Sequence, residues 1–174
     1  MVKLYYSEVY ECDTLNGIGF RVSIFCSGCG KENKCKYCQN SKAWNFDYGK
    51  LYTSDTEKQI LNALSKPYID GISLLGGEIT DNLEDGHIFD LLDIVKEKYP
   101  NKTIWCWTGY IYEDIINVPL KLKLLGYVDV LIDGEFIYEK KDLNVAWANS
   151  SNQRIINVPQ SLQQNTIILY KGNI

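Results

Sequence analysis

The amino-acid sequence predicts an α/β domain built on a mostly parallel sheet. Short apolar stretches of strand character alternate along the chain with amphipathic stretches of helical spacing, the pattern that right-handed βαβ crossovers produce. The residues best suited to chemistry fall directly after those strands, where such folds place their sites: cysteines after the first, Gly76-Gly77-Glu78 after the second, Trp107-Thr108-Gly109 after the third and Asp133-Gly134 after the fourth. The 174 residues suffice for one well-buried domain. A complete eight-stranded βα barrel typically needs about 250.

Each element has its own local reason. In residues 20–26, FRVSIFC, Val22, Ile24 and Cys26 fall on one face and Phe25 on the other, as in a largely buried strand. Ser54-Asp55-Thr56-Glu57 has capping-box spacing, and Ile60, Leu61 and Leu64 continue one helical face until Pro67. ISLLGG at 72–77 reads as a strand running into a glycine turn. A second amphipathic helix over His87 to Lys98 buries Ile88, Leu91, Leu92 and Val95 and stops before Pro100. TIWCW (103–107) and VDVLI (128–132) are apolar strands, with Tyr110 to Leu125 helical between them and interrupted near Pro119. RIINV (154–158) and TIILY (166–170) complete the strands.

Composition removes several functions. The chain is 45% hydrophobic and 23% charged with four prolines, an ordinary globular balance without repeats, linkers or low-complexity segments. A net charge of −4 and a pI near 5.1 lack the basic footprint of a protein that grips phosphate backbones, so nucleic acid is not an expected partner. No apolar run reaches the roughly 20 residues of a bilayer span. The opening MVKLYYSEVYECD lacks the apolar core and cleavage site of a signal peptide, so a cytoplasmic location is expected, with no membrane partner.

Cytoplasmic cysteines stay reduced, so the grouping of Cys26, Cys29, Cys35 and Cys38 points to metal more than to disulfides. Two readings stand at this point. As two C-x2-C pairs the four thiolates match a tetrahedral zinc site in number, but five residues separate the pairs, where zinc knuckles stand about 12–20 apart. Cys26 also continues the inward face of a strand, where cysteine serves as a small hydrophobe. Alternatively, Cys29, Cys35 and Cys38 hold an iron–sulfur cluster and leave one iron open to a small chelating molecule.

Longer motifs add a family resemblance. The cysteine loop with Tyr37 before its last cysteine, together with Gly76-Gly77-Glu78 at a strand end, resembles the radical S-adenosylmethionine superfamily. Within it, Asn16-Gly17-Ile18-Gly19-Phe20-Arg21, Cys38-Gln39-Asn40 with Trp44, Ile104 to Tyr110, Val130 to Phe136 and Ser150 to Ile155 resemble the activating proteins of anaerobic ribonucleoside-triphosphate reductase, in order from about residue 5 to residue 162. The chain departs from that pattern in three places. It has C-x5-C-x2-C where the family has C-x3-C-x2-C, Ile79 where proline is usual, and Ala148-Asn149 where a glycine commonly precedes Ser150. A two-residue loop insertion costs little closure entropy.

The resemblance implies a single radical S-adenosylmethionine domain over residues 1–174, folded as an incomplete, TIM-like βα barrel. It implies a 4Fe-4S cluster on Cys29, Cys35 and Cys38, which are metal ligands and catalytic residues at once. S-adenosyl-L-methionine would chelate the fourth iron, with Gly76 and Gly77 allowing close approach to its methionine part and Glu78 accepting from its amino group. Tyr37 would contact the adenine, and Thr108 and Asp133 the carboxylate region or the radical path. The implied activity is an oxidoreductase, a glycyl-radical-generating activase. Its partners would be the large anaerobic reductase subunit and a low-potential electron donor such as a flavodoxin. Asn152, Gln153 and Arg154 are marked as important without a role.

Plainer readings apply elsewhere. His87 is expected at an exposed helix start, and Asp81, Glu84 and Asp85 in a solvated acidic loop. Trp105 and Trp107 are expected in the core or at an interface, and Cys12 and Cys106 in packing. Two other functions carry the same motifs in part: a small-molecule radical enzyme of the carboxy-deazaguanine synthase type, and a non-enzymatic zinc module.

Overall fold

The computed structural model describes residues 3–172. Its strands are β1 (Tyr5–Asp13), β2 (Phe20–Cys26), β3 (Lys50–Leu51), β4 (Ile69–Gly76), β5 (Thr103–Trp107), β6 (Val130–Asp133) and β7 (Arg154–Asn157). They form one open seven-stranded sheet in the order β3-β1-β2-β4-β5-β6-β7. β2, β4, β5 and β6 run parallel, as the alternating pattern predicts. Antiparallel β1 and β3 extend one side, and antiparallel β7 closes the other.

The helices are α1 (Ser54–Leu64), α2 (His87–Lys98), α3 (Tyr112–Ile115), α4 (Pro119–Leu125) and α5 (Val158–Gln164). Period-two alternation sends Val22, Ile24 and Cys26 of β2, Ile72 and Leu74 of β4, Ile104 and Cys106 of β5 and Leu131 of β6 to one face. There they join Ile60 and Leu64 of α1, Leu91, Leu92 and Val95 of α2 and Leu124 of α4 in one continuous core. The residues between them, including Ser23, Phe25, Ser73, Leu75, Trp105, Trp107 and Ile132, point to the opposite face. One face of the sheet is thus spent on stability, and the other is left to build a site.

Arg21 closes the amino-terminal end of that second face. Fully buried, its guanidinium donates to Ser73 Oγ (2.7 Å), the carbonyls of Ile72 and Thr103 (both 2.8 Å), Thr103 Oγ1 (3.0 Å) and Ile18 O (3.2 Å). It also lies 5.2 Å from the centre of the Trp105 ring. Burial lowers its pKa to about 10.

Several boundaries differ from the sequence reading. β1 has little alternation to mark it and sits on the flank, half-exposed. The capping box falls one residue earlier: Thr53 is the N-cap, and its hydroxyl accepts from Thr56 N–H at 3.4 Å. The helix expected over 110–125 is two helices, because Pro119 lacks the N–H a continuous helix needs and instead starts α4. The strand at 154–158 ends at Asn157, whose side chain caps α5 by accepting from Gln160 N–H (3.1 Å). Residues 166–170 run beside β7 with a single bridge, Ile156 to Leu169, rather than as a full strand.

Candidate metal and cofactor site

The cysteine loop starts where β2 ends and is bolted down at its root. Ser27 N–H donates to Tyr5 O (2.8 Å), Gly28 N–H to Ala43 O (2.8 Å) and Cys29 N–H to Trp44 O (3.1 Å). From β4, Gly77 N–H donates to Cys26 O and Glu78 N–H to Gly28 O, both at 2.7 Å. A Cβ on Gly76, which has φ +118°, would lie 2.2 Å from Cys26 O, and one on Gly77 would lie 2.3 Å from Gly28 O. The two glycines are therefore demanded first by the chain's own backbone, which the turn must approach to anchor the cysteine loop.

Beyond that root, Asp81 holds the loop from the side. Its carboxylate accepts from Gly30 N–H (2.8 Å), Tyr110 OH (3.1 Å) and Lys121 Nζ (2.8 Å). The solvated acidic loop expected there is thus corrected for Asp81, which is largely shielded because three donors converge on it. Asp85 likewise accepts from Leu4 N–H (2.6 Å), while Glu84 is exposed. His87 is exposed at the start of α2, with its ring 5.4 Å from that of Tyr52.

Cys29, Cys35 and Cys38 line a cavity of about 560 Å³ together with Gly76, Gly77, Glu78 and Thr108. All six cysteines of the chain are free thiols. Burial pushes the Cys29 and Cys35 thiols up, while Lys34 acts on Cys29 and Lys31 on Cys35 in the opposite direction. Cys26 lies on the other face of the sheet, fully buried in the helix-covered core, where desolvation strongly disfavours its thiolate. The four cysteines therefore do not form one tetrahedral zinc site. Among the described residues, no three His, Cys, Asp or Glu side chains converge as on a single ion. A 4Fe-4S cluster places its thiolates on separate irons and suits three cysteines spread around one cavity wall.

Glu78 is the structural hub of the cavity. Its Oε1 accepts from Thr80 N–H (3.2 Å), Thr80 Oγ1 (2.8 Å) and Thr108 Oγ1 (2.8 Å), and its Oε2 from Gly109 N–H (2.7 Å). It thereby ties the end of β4 to the end of β5. Burial raises its pKa, against the lowering effect of the bonds from Gly109 and Thr108. With about four lone-pair directions on the carboxylate, Oε2 retains capacity for one further donor from the cavity.

Tyr37 and Asp133 lie elsewhere. Tyr37 is 65% exposed in a left-handed conformation (φ +58°), and its ring meets that of Tyr138 at 4.5 Å on the outer surface. Asp133 is fully buried beside a second hollow, where it accepts from Tyr112 N–H (2.7 Å) and pairs with Arg154. Arg154 also binds Glu113 through two nitrogens (3.0 and 2.7 Å), and these bonds hold the Arg154 pKa well above its ordinary value. Arg154 thus pins β6 and β7 to α3.

The sequence reading missed the far wall of the cavity. It is formed by the loop between β6 and β7, through Phe136, Leu143, Val145 and Trp147, and by Trp107. Trp107 Nε1–H donates to Trp147 O (2.7 Å), and Trp105 packs edge-on against Trp147 at 5.0 Å. The signal for this wall lay in the Ser150 to Arg154 stretch. Gln153 Oε1 accepts from Asn149 N–H (2.8 Å) and Ser150 N–H (3.2 Å), and its Nε2 donates to Gly134 O (2.9 Å), closing the root of the loop.

A loop of three free cysteines facing a cavity at the carboxyl ends of parallel strands defines an iron–sulfur protein class, and residues 15–156 match the family model for a 4Fe-4S single cluster domain. The chain is 42% identical over 151 residues to the anaerobic ribonucleoside-triphosphate reductase-activating protein of Enterobacteria phage T4, covering 86% of this chain and 92% of that protein. Identity to the proteins of the same name is 38% in Haemophilus influenzae (86% of this chain, 96% of the relative) and 35% in Escherichia coli K12 (85% and 95%). The chain belongs to the family of anaerobic ribonucleoside-triphosphate reductase-activating proteins.

Proposed function

We propose that this protein is a radical S-adenosylmethionine activase that installs a glycyl radical on the large anaerobic ribonucleoside-triphosphate reductase. The observation that carries this reading is the meeting of Cys29, Cys35 and Cys38 with the Gly76-Gly77-Glu78 turn around one cavity. Its volume of about 560 Å³ lies within the range of small-molecule sites.

The donor set fits a 4Fe-4S cluster held by Cys29, Cys35 and Cys38. Held by these three thiolates, such a cluster would supply, once reduced, the single electron for reductive cleavage of S-adenosylmethionine to methionine and a 5′-deoxyadenosyl radical, and that radical would take a hydrogen atom from a glycine Cα of the reductase. The chain's residues bind and orient. Glu78, fixed by Thr80, Thr108 and Gly109, offers its remaining Oε2 position to an ammonium group. Trp107, Leu75 and Phe25 line the cavity with apolar surface and exclude water from a reactive radical. Asp81 and Lys34, the latter bonded to Cys29 O, keep the cysteine loop in place. The open sheet is read as an incomplete barrel of one domain, whose unclosed side admits a protein segment. A low-potential donor of the flavodoxin kind would supply the electron.

The test is anaerobic reconstitution with iron and sulfide, followed by electron paramagnetic resonance of the reduced protein. The expected result is a four-iron signal that shifts on adding S-adenosylmethionine and disappears in Cys35→Ala. A colourless protein carrying stoichiometric zinc would overturn the reading.

A further inference from the structure

Two leucines are more exposed than any other large apolar side chain among the described residues. Leu143 is 81% and Leu15 80% exposed, followed by Tyr37 at 65%. Both line the cavity that Cys29, Cys35 and Cys38 face, Leu15 from the turn between β1 and β2 and Leu143 from the loop between β6 and β7. Both are on anchored backbone. Leu15 N–H donates to Asp13 Oδ1 (2.8 Å), and the Leu143 loop is closed by Gln153 and by the bond from Trp107 to Trp147. Single exposed leucines are ordinary on a protein surface, but these two sit on anchored backbone around one cavity, where a partner seated over the site would cover both.

The chemistry around them specifies the occupant. Among the described residues, Lys31 and Glu78 are the only charged ones lining the cavity, and both are engaged within the chain, Lys31 with Gly109 O (2.5 Å) and Glu78 with Thr108 and Gly109. The carboxamides of Gln39, Asn40 and Asn149 supply donors and acceptors in equal measure, which is what a peptide backbone presents in return. With the remaining Glu78 Oε2 position assigned above to an ammonium group, a charged side chain of a partner segment would find no further counter-charge here.

We propose that Leu15 and Leu143 form a two-point apolar clamp that grips an uncharged, extended segment of the protein partner, the segment carrying the glycine that loses its hydrogen. This rests on the function proposed above.

The test measures the affinity of the iron-reconstituted protein for its cognate large reductase by biolayer interferometry. The chains compared are wild type, Leu15→Ser, Leu143→Ser, the double variant and Leu120→Ser, whose side chain is exposed on α4 outside the cavity. The reduced-cluster resonance of each checks loading. Losing one buried leucine contact weakens binding about tenfold and losing both about a hundredfold, while Leu120→Ser binds as wild type. A double variant of wild-type affinity overturns the clamp. So does a double variant that loses only self-association in light scattering, since that assigns the leucines to a second copy of this chain. Wild-type protein that binds the reductase through these leucines yet fails to cleave S-adenosylmethionine upholds the clamp and overturns the radical chemistry.

Discussion

Glu78, which the resemblance casts as an acceptor for a ligand's amino group, also spends most of its capacity joining two strand ends. Its two oxygens each take a backbone N–H, from Thr80 and from Gly109, whereas glutamine has one oxygen for both. Glu78→Gln therefore orphans one buried N–H, and we expect a loss of about 1–3 kcal/mol in urea unfolding. The raised pKa gives this loss a pH dependence. Below the ordinary carboxyl value of about 4.3 both states are protonated, and as pH rises toward the higher folded value only the unfolded state loses its proton. Wild type loses stability across that window and the glutamine variant does not, so the deficit of the variant narrows as pH rises. Arg21 is the second decisive residue. Its five bonds exceed the three donors of lysine, so Arg21→Lys should cost about 2–4 kcal/mol by the same measurement.

The turn after β4 and the cysteine loop behave as one element. Gly77→Ala would drive a Cβ into Gly28 O and Ala43 O, backbone atoms that cannot swing aside. We expect this variant to lose about 1–3 kcal/mol and to take up less iron than wild type on anaerobic reconstitution, read as iron per chain. Helix α1 is an independent element. Thr53→Ala removes its cap and should lower stability by about 1 kcal/mol, with iron uptake unchanged. The contrast between these two variants separates an element that supports the fold from one that supports the site.

Across the whole molecule, the core and the site occupy opposite faces of one sheet, and the core is complete without the cysteine loop. Iron removal by an anaerobic chelator should therefore leave the far-UV circular dichroism and the cooperative thermal transition in place while amides of residues 30–40 exchange faster. Loss of the whole transition would mark a fold held by its metal, as in a zinc module. The division of faces also explains what could be read in advance. Local patterns are written along the chain: the alternation in FRVSIFC, the amphipathic spacing of α1 and α2, and the breaks imposed by proline and glycine fixed the parallel centre of the sheet. The position of Cys26 among core residues was legible by the same alternation, and the Gly76-Gly77-Glu78 turn by its composition. β1 was not legible, because a flanking strand is stabilised by neighbours distant in sequence and needs no strict alternation. The far wall of the cavity was hidden for a related reason: a 20-residue span between β6 and β7 has no period of its own, and its shape comes from Gln153, Trp107 and Trp147 meeting across it. The sequence by itself determined the parallel centre of the sheet, helices α1 and α2 and the place of the cysteine loop after β2, since these follow from residue type and short-range spacing. Only the tertiary structure decided that Tyr37 faces outward, that Asp133 is held by Arg154, and that Leu15 and Leu143 share one mouth, because each depends on contacts between segments far apart in the chain.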